Sequence, residues 1–239
     1  MNRNYSNISY AESPFGTLSE FMSKTFGWMF AGLLVTFAVG IGAVASGLIY
    51  PLISSGLFIL TSIAELVLVF VLTARVQSLQ PSTATGIFFG YAVLNGLNLS
   101  SIFLVYDYRS LILAFLVGAV YFGVMAVYGN VTNRDLTGWG PKLMGGLVAI
   151  IVCALVGGLL SLFGLHFGIM DLLLCAVGLL IFMGLTAYDT QMLKYHYAYF
   201  GGDAAMLHKA SIIGALNLYL DFINIFLYIL RMLGRRSND

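Results

Sequence analysis

Seven apolar runs, each near the ~20 residues that a helix needs to cross a bilayer, constrain this chain more than any other feature of its sequence. They fall at residues 26–49, 56–74, 84–106, 110–129, 143–163, 168–188 and 212–232. Between them lie short connectors rich in turn residues: Tyr50-Pro51, Gln80-Pro81, Asp107-Tyr108-Arg109 and Gly138-Trp139-Gly140-Pro141. Only 9% of the 239 residues are charged and 60% are hydrophobic, whereas a soluble domain carries about 25% charged residues with which to wet its surface. No water-facing shell can be assembled from such a composition. The expected fold class is therefore all-α, a polytopic membrane protein of seven helices, with the lipid bilayer as its first partner. A formal net charge of +1 offers no basic excess for nucleic acid.

The domain plan follows from the same runs: a cytosolic tail over residues 1–25, a seven-helix membrane domain over 26–232, and a short basic tail over 233–239. The first 25 residues are polar and mixed in charge, without the apolar core of a signal peptide, so the first apolar run is read as a retained helix. Residues 189–211 form the longest expected connector, a polar stretch holding Lys194, His196, Asp203, His208 and Lys209. With the amino terminus inside, seven of the eleven basic residues fall on the cytosolic side, which supports that orientation. Seven crossings then place Arg231, Arg235 and Arg236 outside. A last segment that re-enters without crossing is the alternative, since Asn217, Asp221 and Asn224 interrupt its apolar character. Paired glycines, as at Gly145/Gly146 and Gly157/Gly158, suit close helix packing in lipid. Cys153 and Cys175 lie inside apolar runs without metal-ligand spacing.

Ionisable groups inside a span cost about 2.5 to 3.5 kcal/mol each near the helix centre on insertion scales, so they mark function by default. Three acids qualify. Glu65 lies midway along the second run, read either as a neutral carboxyl bonded between helices or as part of an ion path. Asp189 closes the sixth run in Gly184-Leu185-Thr186-Ala187-Tyr188-Asp189-Thr190-Gln191. Asp221 lies deep in the seventh, in Leu218-Tyr219-Leu220-Asp221-Phe222-Ile223-Asn224. Asn217, Asp221 and Asn224 are spaced four and three residues apart and so share one helix face, a polar stripe that must point into protein or a wet cavity.

Those two motifs together resemble the signature of the transmembrane Bax inhibitor motif family, and the likeness extends from Phe21-Met22 and Phe26-Gly27-Trp28-Met29 to Leu230-Arg231. The resemblance implies a seven-helix bundle with a central carboxy-terminal helix and a pH-sensitive calcium leak in a bacterial plasma membrane, the cell inner membrane. It also implies that Asp189 and Asp221 form a hydrogen-bonded pH-sensing pair and that an arginine after the second span acts as a latch. Arg75 is the candidate for that latch; without the resemblance it reads as a snorkelling anchor.

The chemistry of such a pair stands on its own. Two carboxyls forced together in a low-dielectric site cannot both ionise cheaply, so they share a proton. Calcium suits the same oxygens, because it accepts carboxylate, amide and backbone ligands in flexible geometry; Asp189, Asp221, Asn217 and Asn224 could supply several. No resident cofactor is expected beyond calcium as transported or bound ion, and no enzyme activity. An intramembrane aspartyl protease is a rival reading of paired aspartates, but its Gly-x-Gly-Asp and downstream proline motifs do not occur. A non-transporting regulator of a membrane-anchored quality-control protease is the other rival, with residues 1–25 as the contact. His166, His196 and His208 are scattered at connector positions and read as polar loop residues.

Overall fold

The computed structural model describes residues 16–76, 78–163 and 168–234. Those residues form helices and connectors: α1 (Leu18–Ala45), α2 (Ile49–Ser54), α3 (Leu57–Arg75), α4 (Pro81–Leu99), α5 (Ile102–Val105), α6 (Tyr108–Val131), α7 (Gly140–Leu162), α8 (Gly168–Phe200) and α9 (Ala204–Leu233). Seven segments are long and apolar enough to cross a membrane, α4 and α5 counting together as one. Pro81 and Pro141 stand at the start of α4 and α7, where a missing N–H costs no helical bond. The seven expected runs are thus the seven spans, and the last is a continuous helix of 30 residues.

The helices outrun the apolar runs at two places. α1 begins at Leu18, so residues 18–25, expected in the tail, form its first two turns. Thr17 caps it: the Glu20 N–H donates to Thr17 Oγ1 at 3.2 Å, and the Thr17 N–H donates to Glu20 Oε2 at 2.9 Å. Phe21, Met22 and Thr25 are buried on this extension. The polar connector expected over 189–211 is largely helical instead, because α8 runs on to Phe200 and α9 starts at Ala204. Its polar residues are not merely solvated: Gln191, Lys209 and Ser211 are buried. Asp203 Oδ1 accepts the N–H groups of Ala205 and Met206, at 2.9 and 3.0 Å, and so starts α9. His196 and His208 accordingly sit on helices rather than loops, while His166 lies outside the described residues.

The chain divides into two compact units. One runs to Ser101 and resumes over Met192–Tyr219; the other comprises Ile102–Gln191 and the chain from Leu220. In the first unit, α1 packs on α4 and α4 on α3. Gly96 permits the α1–α4 approach, since a Cβ there would meet the Thr36 carbonyl oxygen at 2.6 Å. Thr36 donates to the Ala92 carbonyl at 2.9 Å, which leaves its oxygen to accept the Tyr219 hydroxyl of α9 at 2.6 Å. The same arithmetic applies to Thr25, which donates to the Phe21 carbonyl and accepts from Ser211, both at 2.9 Å. Phe88 and Tyr91 meet the Tyr219 ring edge to face, at 6.1 and 5.7 Å between centroids.

In the second unit, Phe115 and Phe122 of α6 stack edge to face on Phe222 of α9 at 5.4 and 5.7 Å. Gly118 lies against Phe226 of the same helix. Gly129 lets α6 close onto the Ala187 backbone of α8, leaving no room for a side chain. Gln191 ties the α6–α7 connector to α8 with both ends of its amide: Oε1 accepts the Leu136 N–H and Nε2 donates to the Arg134 carbonyl, each at 2.8 Å.

Burial ranks the spans. Two-thirds of the most apolar stretch of α9 is buried (67%) against 6% for α3 and α7, so α9 is the most enclosed of the seven. Leu66 and Phe70 on α3, and Leu155 and Leu159 on α7, are among the exposed residues suited to lipid contact. Gly129→Val should lower the stability of the detergent-solubilised protein by about 1 to 3 kcal/mol through overpacking against Ala187. Gly123→Ala, where a Cβ meets nothing within 4 Å, should leave the melting temperature unchanged or higher; thermal unfolding of both variants checks the contrast.

Candidate functional site

α8 and α9 supply the two acids of a buried polar site in the second unit. Asp221 is 2% exposed, and α9 carries it between Leu220 and Phe222 in an otherwise apolar stretch. Asp189 lies on α8 close enough for its charge to act on Asp221. Two of the three carboxyls that the sequence singles out, Asp189 and Asp221, are therefore brought near each other by different helices. Asp189 is not at a helix end: eleven further residues of α8 follow it, to Phe200.

Thr186 is the residue that sequence reasoning missed. It is fully buried one turn before Asp189, on the same face of α8, and its hydroxyl faces the Asp221 carboxyl. That hydroxyl also reaches the Phe182 carbonyl at 2.8 Å. Thr190 follows one turn later, also fully buried. Thr190 Oγ1 and Asp221 Oδ2 are buried without hydrogen-bond partners among the described residues, a costly state that native interiors avoid outside special sites. The signal for Thr186 was its three-residue spacing from Asp189, but a threonine in a span is too common to stand out. The two asparagines of the expected stripe behave differently. Asn224 is half-buried and donates to the Leu220 carbonyl of its own helix at 2.7 Å, and Asn217 is half-buried in the part of α9 assigned to the first unit.

Glu65 and Arg75 belong to the first unit. Glu65 is half-buried on α3 facing the Asn98 amide of α4, and Thr61 donates to Asn98 Oδ1 at 2.6 Å. Asn95 on the same helix donates to the Tyr91 hydroxyl at 3.1 Å. Thr61 and Asn98 thus join α3 to α4 beside Glu65, whose Oε1 is buried without a hydrogen-bond partner among the described residues. Arg75 is exposed in the last turn of α3, where a cation complements the helix dipole.

Calcium binding can be tested against the donor set. Among the described residues no group of three or more His, Cys, Asp or Glu converges. Two carboxylates alone fall short of the six to eight oxygens of a resident calcium cage.

Comparison with known proteins matches residues 18–238 to the family described as inhibitor of apoptosis-promoting Bax1. An Escherichia coli (strain K12) protein named inner membrane protein YbhL is 41% identical over 226 residues, covering 93% of this chain and 94% of its own. An uncharacterised Deinococcus radiodurans protein is 40% identical over 218 residues, 91% of each chain. A Streptococcus pyogenes protein named uncharacterised membrane protein SpyM3_0260 is 34% identical over 240 residues, covering 96% of this chain and 98% of its own.

The shared environment of Thr186 and Asp221 gives a direct test. In a double-mutant cycle of Thr186→Val and Asp221→Asn, unfolding free energies should depart from additivity by about 0.5 to 3 kcal/mol. Thr73→Val, at an exposed position on α3, should add to Asp221→Asn with no such coupling.

Proposed function

The chain belongs to the family described as inhibitor of apoptosis-promoting Bax1, and on that premise we propose that this multi-pass inner-membrane protein is a proton-gated cation leak with calcium as its substrate ion. The observation that carries the reading is the meeting of Asp189 and Asp221, from two helices, at a buried site. A single intramembrane acid can be silenced by protonation alone. Two acids placed together share a proton, and the pair changes charge as that proton leaves.

Thr186 fits this chemistry. Its hydroxyl lies within hydrogen-bonding reach of the Asp221 carboxyl while also reaching the Phe182 carbonyl one turn back, so the carboxyl and a backbone oxygen compete for its single proton. Loss of the shared proton then leaves two charged groups in a low-dielectric site. The arrangement must relax by admitting water or a cation, or by shifting α8 against α9 within the unit. A divalent cation passing the pair would meet two carboxylate oxygens and could shed only part of its hydration, which favours transit over retention. The reading assigns no covalent step to any residue.

Reconstitution of the purified protein in liposomes containing a calcium dye tests the proposal between pH 6 and 8. Wild type should show protein-dependent flux that varies with pH, and Asp189→Asn and Asp221→Asn should each abolish the variation. Flux with an unchanged pH profile in both variants would sink the paired-acid gate. Protein-dependent flux absent at every pH would remove the leak itself and favour a regulator acting on another membrane protein.

A further inference from the structure

The first unit contains a cavity of about 480 Å³ that the proposed leak does not use, lined by Lys24, Gly27, Trp28, Ala31 and His208. Four of these residues recur on α1 at spacings of three, one and three, which puts them on a single helix face. The fifth comes from the second turn of α9. The cavity exists because two of the α1 positions carry almost no side chain: a Cβ built on Gly27 meets nothing within 4 Å.

Each wall has a distinct chemistry. Lys24 is exposed and brings a cation to one end of α1. Trp28 supplies an aromatic wall, its ring edge to face with His208 at 6.0 Å and with Phe89 at 5.9 Å. His208 is held from behind. Thr85 gives its hydroxyl proton to the Pro81 carbonyl at 3.1 Å, so at 3.0 Å it accepts from His208 Nε2–H. In the neutral ring that bond selects the Nε2–H tautomer, whose Nδ1 is then the acceptor.

From this geometry we infer that the cavity binds the headgroup of an anionic glycerophospholipid, with Lys24 on the phosphodiester, His208 Nδ1 accepting a headgroup hydroxyl, and the glycerol backbone against Trp28 over Gly27 and Ala31. Three features select a lipid over a free anion. One cation beside an aromatic, small-residue floor matches a single phosphate joined to apolar matter. The site opens along a helix long and apolar enough to cross a membrane, within the first four turns from its start at Leu18. Tryptophan and lysine are also the residues that settle at headgroup depth. Basic pockets between spans on the cytosolic side are a recognised form of anionic-lipid site, and the charge distribution puts Lys24 on that side.

The chain has two tryptophans, so Trp139→Phe leaves Trp28 as the sole reporter in the otherwise intact protein. This variant is placed in nanodiscs containing brominated phosphatidylglycerol in a phosphatidylcholine background, and then with the bromine on the phosphatidylcholine instead. Quenching of Trp28 should give an apparent preference for phosphatidylglycerol of about fivefold, the size of one lysine's contact with an anionic headgroup. Lys24→Gln should bring that preference to unity, and Gly27→Leu, which fills the cavity from an open position, should reduce quenching by either lipid. Inorganic phosphate should leave the preference intact. Equal quenching by the two lipids in the Lys24 protein would overturn the inference, as would a preference that survives Lys24→Gln. Loss of the preference on adding inorganic phosphate would overturn it in favour of a free-anion site.

Discussion

Lipid hydrocarbon offers no hydrogen bonds, so every polar group inside a span must find its partner within the protein. This requirement organises the packing in both units. Threonines and serines in the spans discharge their hydroxyl protons onto carbonyls, one turn back for Thr25, Thr186 and Ser62 and across to the Ala92 carbonyl of α4 for Thr36. Once that proton is committed, the oxygen can only accept, and in two cases it receives a hydroxyl from α9. The threonines thereby become directional sockets. α9 is tied to α1 by Ser211 and Tyr219 and enclosed by aromatic rings in each unit. Asp221 sits in the same helix, where such ordering would ordinarily exclude an acid.

The orphaned atoms stand out against that order. Besides His196 Nδ1, two groups of atoms are buried without partners among the described residues: Thr190 Oγ1 with Asp221 Oδ2, and Glu65 Oε1 with Asn95 Oδ1 and Asn98 Nδ2. Each group belongs to a different unit and includes a carboxylic acid. A helical membrane protein built only for stability would replace these groups with leucine or alanine. Their retention concentrates polarity at two places, one containing the aspartate pair and the other joining α3 to α4.

Much of this could be read from the chain itself. The seven spans follow from the lengths of the apolar runs, and the aspartates stand out because an acid among Leu, Ile and Phe has no bland explanation. Helix ends were harder. Leu18–Thr25 and the stretch around Gln191–Tyr197 look solvated by composition, yet a capping box and buried tertiary contacts make them helical. Polar side chains there are bonded to groups distant in sequence, and no local pattern carries that information. Thr186 escaped notice for the same reason, since its importance comes from what α9 places opposite it. The stripe of Asn217, Asp221 and Asn224 was legible as a helix face but not in its roles, because Asn224 turns to its own backbone.

The enclosure of α9 also bears on how the protein is made. With a mean hydropathy of 1.8, its best window is less apolar than those of α3, α6 and α7, at 2.5, 2.4 and 2.6, and it carries Asp221 besides. A segment of this kind gains little by leaving the insertion machinery for bare lipid. It is also the last of the seven spans in chain order, so the groups that receive its hydroxyls and rings have been synthesised before it emerges. Thr25, Thr36, Phe88 and Phe122 can then act as an internal chaperone, accepting the polar helix as it arrives and sparing it a solitary stay in the bilayer.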